Sequence, residues 1–73
     1  MAEFTVDLIW DAEVSVWVAS SEDIPGLALE SGSLDALIER VRFAAPELLE
    51  LNGIVLKEYP IRFHSERIER IAV

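Results

Sequence analysis

Fourteen carboxylates, one histidine and six serines are the side chains of this 73-residue sequence suited to acid-base, nucleophilic or metal chemistry, and it has no cysteine. Asp7, Asp11, Glu13, Glu22 and Asp23 crowd the first third of the chain. Several such acids converging within about 4 Å of a metal pair would make a two-metal nuclease centre. The spacing argues for solvated acids instead, because Asp11 and Glu13 fall in a polar step between two alternating segments, where a bend is expected. His64 stands alone, without cysteine or an HExxH pair, so no zinc site is recognisable around it and a structural or surface histidine is expected. None of the serines lies in a G-x-S-x-G elbow, and His64 is the one imidazole available as a base. The expectation is a chain that is not an enzyme, with no catalytic residue, metal ligand or cofactor.

The elements that would position these residues follow from hydropathy. From Glu3 to Trp10 the chain alternates, with Phe4, Val6, Leu8 and Trp10 on one face and Ile9 on the other, a half-buried strand. Alternation resumes with Val14, Val16 and Val18 on one face and Ser15, Trp17 and Ala19 on the other, a second strand antiparallel to the first. No Asn-Gly marks the bend between them, so a tight two-residue hairpin is not expected. Pro25 and Gly26 suit the central positions of a type II turn. Leu27 to Glu30 is a short third strand. Ser33 is a good N-cap, and Leu34, Leu37, Ile38, Val41, Ala44, Ala45, Leu48 and Leu49 form one apolar stripe at helical spacing. Asn52 and Gly53 stop that helix, which spans about residues 34 to 52. Pro46 sits inside it and predicts a kink, with a break into two helices as the alternative. Ile61 and Phe63 begin a last strand, and the alternation slips after Ser65, so residues 65–73 read as a bulged strand or a short helix.

Composition bounds the function. A chain this short buries only roughly 60% of its unfolded surface, so its core is marginal and dimerisation is a natural remedy. The 52% hydrophobic content marks a folded domain, and the formal charge of −8 repels phosphate backbones while steering basic proteins toward it. Direct nucleic-acid binding is disfavoured, and a cationic protein partner is expected. There is no basic and apolar leader and no apolar run of about 18 residues, so a soluble cytoplasmic protein that does not bind membranes is expected.

Trp10, Asp11, Glu13, the Val16-Trp17-Val18-Ala19 run, Asp23, Pro25-Gly26-Leu27 and the Ser33-Leu34-Asp35 helix start stand in an order that resembles the HicB-like antitoxin superfamily. Within it the chain looks like the short branch without a DNA-binding domain. The resemblance implies an α+β fold, a two-layer β-β-β-α-β arrangement in which an antiparallel sheet carries one long helix on one face, as in partial RNase H-like domains, over residues 1–73. It also implies a toxin-antitoxin role, in which a small basic ribonuclease toxin of the HicA type is neutralised by occlusion. Two alternatives stand beside it: an orphan homo-oligomeric binding or structural protein with no toxin, and a degenerate metal-dependent nuclease. For the interface of an expected homodimer or toxin complex, Ile9 and Trp17 are expected together on the sheet face opposite the helix. Phe43, nearly opposite the helix stripe, is a third interface candidate; its alternative is packing beneath the C-terminal segment.

Overall fold

The computed structural model describes residues 3–73. Its elements are β1 (Phe4–Asp11), β2 (Val16–Ser20), β3 (Ala28–Ser31), α1 (Leu34–Leu51) and β4 (Ile61–Glu66). They form a four-stranded sheet, ordered β3-β2-β1-β4, with the helix packed against it. The pairs β1–β2 and β2–β3 are antiparallel, whereas β4 joins β1 in parallel, so the sheet is mixed rather than wholly antiparallel. The reason is the crossover: an 18-residue helix carries the chain back along the sheet, and β4 then runs in the direction of β3.

β1 and β2 are joined by the four residues Ala12–Ser15, with Ser15 in the left-handed region at φ 55°. Val14 is exposed in that loop and is not part of the second strand. The pairing register sets Trp10 opposite Trp17, Ile9 opposite Val18 and Leu8 opposite Ala19, and directly opposed residues share a face. Because Val6, Leu8 and Trp10 face the helix, Trp17 must face it too. Trp17 is therefore a core residue, 9% exposed, and not part of the outer sheet face. It meets Trp10 edge to face, with ring centroids 5.5 Å apart. β2 carries apolar residues on both faces, so its own alternation does not choose a side; the register does.

Ile24 and Leu27 are buried on either side of Pro25 and Gly26, with Leu27 N–H donating to the Ile24 carbonyl at 3.2 Å. Gly26 takes φ +86°, as the third residue of a type II turn requires. At the helix start, Ser33 Oγ accepts from Ala36 N–H at 3.3 Å. Leu37, Val41, Ala45 and Leu49 are fully buried on the sheet, each large side chain contributing about 1.5–3 kcal/mol of apolar burial. The helix runs unbroken through Pro46. It ends where Gly53, at φ +82°, donates to Glu50 O at 3.0 Å and Ile54 N–H to Leu49 O at 2.9 Å. Together these two bonds satisfy carbonyls that the last turn would leave open.

After the connection, Pro60 O accepts from Phe4 N–H at 2.9 Å and β4 begins. It ends at Glu66, and residues 67–73 are neither strand nor helix. No helix among the described residues is long and apolar enough to cross a membrane.

Candidate interaction surface

The acids of the first third are dispersed by the fold, and several have structural work. Asp23 Oδ2 accepts from Thr5 N–H at 2.7 Å, while Ser21 Oγ donates to Thr5 O at 2.6 Å. Ser21 Oγ also accepts from the N–H groups of Asp23 and Ile24, at 3.0 and 3.2 Å. These two side chains thus extend the sheet past the Asp7–Ser20 pair where β2 ends. Asp11 Oδ1 accepts from Glu13 N–H at 3.0 Å and shapes the hairpin loop. Asp7 lies 3.4 Å from His64 Nδ1 across the outer face of β1 and β4, with both side chains open to water. Glu3 pairs with Arg62 at 2.6 Å, also on the surface. Glu22 is exposed. Among the described residues no three His, Asp or Glu side chains gather as ligands of one metal ion would.

The three residues expected to mark an interface are separated. Ile9 lies on the outer sheet face, 41% exposed, beside half-buried Val18. Trp17 is on the other side of the sheet, in the core. Phe43 is on the helix side turned away from the sheet, 70% exposed, and the C-terminal segment does not cover it. It borders a shallow hollow with Leu29, Arg40 and Glu47. A second hollow, around Ile9 and Val18, is rimmed by Asp11 and Glu13.

Charge is the feature that reading the residue types singly overlooks. Residues 3–39 hold nine carboxylates and no Lys, Arg or His, whereas all six Lys and Arg residues lie between Arg40 and Arg70. The register places Asp7, Asp11 and Glu30 on the outer face with Ile9, Val16 and Val18. The result is a small apolar strip on β1 and β2 bordered by acids of β1 and β3. On β4 the same face carries Arg62, His64 and Glu66. The segregation was legible in the order of charges along the chain.

The sequence model of a family described as "Domain of unknown function (DUF1902)" matches residues 3–73, every described residue. The chain belongs to the DUF1902 family. A solved structure, the hypothetical protein TTHA1013 from the extremely thermophilic bacterium Thermus thermophilus, is 39% identical, with a TM-score of 0.74 over 99% of this chain and 100% of that one. No curated protein matches.

This DUF1902 chain has a second exposed apolar region at the β4 end. Phe63 is 36% exposed on the helix side of β4 and lines a groove with Val41, Pro46, Tyr59 and Ile61. Tyr59 Oη holds the connecting loop there, donating to Ile54 O at 3.1 Å and accepting from Leu56 N–H at 3.2 Å. Arg67 lays its guanidinium 3.9 Å from the centroid of the Trp10 ring and bonds Glu69 at 2.7 Å. Beyond it, Ile68 and Ile71 are exposed.

Proposed function

We propose that this chain is an acidic protein-interaction module of the HicB-like kind, which neutralises a small basic ribonuclease of the HicA type by covering its RNA-binding and catalytic surface. The observation that carries the reading is the stretch from Glu3 to Glu39, acidic without a compensating cation, whose outer-face carboxylates border the Ile9–Val18 strip. Carboxylates around the strip would steer a cationic surface into place, and the strip would supply area to desolvate once contact is made. The resemblance of residues 10–35 to that superfamily supports the same reading. Occlusion needs no catalytic group, and a charge of −8 opposes direct binding of RNA or DNA. The chain then acts in the cytoplasm as a binding protein and not as an enzyme.

Inhibition is the test. RNA cleavage by a HicA-type ribonuclease encoded beside the gene for this chain should stop on addition of equimolar chain. The variant Asp11→Lys/Glu13→Lys should slow association at low salt by about tenfold, as loss of steering charge does. Undiminished cleavage, or an association rate indifferent to that charge reversal, would overturn the proposal. The absence of any such neighbouring gene would favour the orphan homo-oligomer, a reading that the exposed Ile68 and Ile71 also favour.

A further inference from the structure

The two edges of the sheet are treated differently. The β3 edge is only four residues long, and the Glu30 carbonyl on that strand is already taken by Arg40 Nη1 at 2.8 Å. β4 is six residues long and pairs with β1 alone. Among the described residues no side chain hydrogen-bonds its backbone. A strand edge left open in this way is a template for another strand. Past Glu66 the chain continues as an arm, with Ile68 74% and Ile71 84% exposed. The long axis is 50 Å and the radius of gyration 13.7 Å, where a compact chain of this length would have about 11 Å. The arm's isoleucines are not among the described residues that pack on the core, while the groove beside Phe63 and Ile61, lined also by Arg42, Lys57 and Glu58, is a partly apolar site that no described residue fills.

We propose that two copies of this chain pair their β4 edges antiparallel about a two-fold axis at His64, each arm lying along the α1–β4 groove of the other copy. Antiparallel pairing brings the Glu66 end of one strand beside the Ile61 end of the other. Each arm then continues toward residues 57–60 of its partner, of which Lys57, Glu58 and Tyr59 line the groove. Charge selects the register. With His64 opposite its own copy, Arg62 faces Glu66 twice, both oppositely charged pairs. Moving the axis to Phe63 would instead set Arg62 against His64. The chosen register keeps outer-face residues opposite outer-face residues, so the two sheets join with both helices on one side. Strand, arm and groove together amount to roughly 20 residues on each copy, the low end for a stable interface. The contact is isologous, so it closes at two copies and does not propagate. It does not depend on the proposed function and leaves the acidic strip around Ile9 free.

Sedimentation equilibrium of the full chain at micromolar concentration should give twice 8.2 kDa. Ile68→Asp/Ile71→Asp should weaken the dimer at least about tenfold, as removal of buried anchors does, with the helical circular dichroism of the chain retained. Arg62→Glu and Glu66→Arg should each weaken it, and the double swap should restore it, which a merely destabilised fold would not do. A wild-type chain that stays at 8.2 kDa overturns the proposal. So does a dimer that the arm variant or the single charge reversals leave intact, or one that the double swap fails to restore. Phe43→Asp should leave the dimer unchanged; dissociation by that variant instead would place the interface on the helix and defeat the pairing described.

Discussion

The sheet has two unlike halves. β2 and β3 lie under the helix, and among the described residues every buried side chain belongs to β1, β2, the Pro25 turn or α1. β4 hangs on the open side of β1, and no residue from Asn52 onward is buried. The first half is held by fully buried side chains, the second by one strand ladder, the Phe4–Pro60 bond, the stacking of Arg67 on Trp10 and the partly buried Ile54, Tyr59 and Ile61 at the edge of the core. Similar apolar residues in one small chain thus serve different ends. Leu37 and Val41 stabilise the fold, whereas Ile68 and Ile71, equally apolar, add nothing to the core of their own chain and remain available to a second one.

Five substitutions test that contrast. Trp17→Ala should cost about 3–5 kcal/mol in denaturant unfolding, because it empties the largest inward side chain of β2 and removes the partner of Trp10. A midpoint close to wild type would return Trp17 to the outer face. Val41→Ala, at the centre of the buried stripe, should cost about 1–4 kcal/mol, against under roughly 0.5 for Glu39→Ala on the exposed side. The reverse order would mean that the helix is rotated. Gly26→Ala should cost about 1–2 kcal/mol, since φ +86° strains any residue with a Cβ. Its new methyl would lie 3.4 Å from the Leu48 side chain, an ordinary van der Waals contact, so the cost is set by the backbone and a neutral result would show that the turn can change type. Phe43→Ala should change the stability of the isolated chain by less than roughly 0.5 kcal/mol, its ring being 70% exposed. A loss of several times that amount would reveal a packing partner for Phe43 and remove it from the exposed surface.

Features set by the backbone of a few neighbouring residues could be read directly from the chain. Ser33 caps the helix because its hydroxyl reaches the N–H three residues on, Gly53 stops it because only glycine takes that φ without strain, and the apolar stripe from Leu34 to Leu49 continues in phase through Pro46. The outward position of Ile9 and of Phe43 follows from the same periodicities. The face of Trp17 does not, since β2 is apolar on both sides and only the register with Trp10 decides between them. Nor could the parts played by Ser21 and Asp23 be foreseen, because Thr5 lies 16 and 18 residues away along the chain. The parallel course of β4 depends on where the crossover helix delivers the chain, a matter of packing across the whole sheet. Periodicity and capping chemistry are local, and so they survive in the order of residues; the choice between two equally apolar faces is made only when strands from different parts of the chain meet.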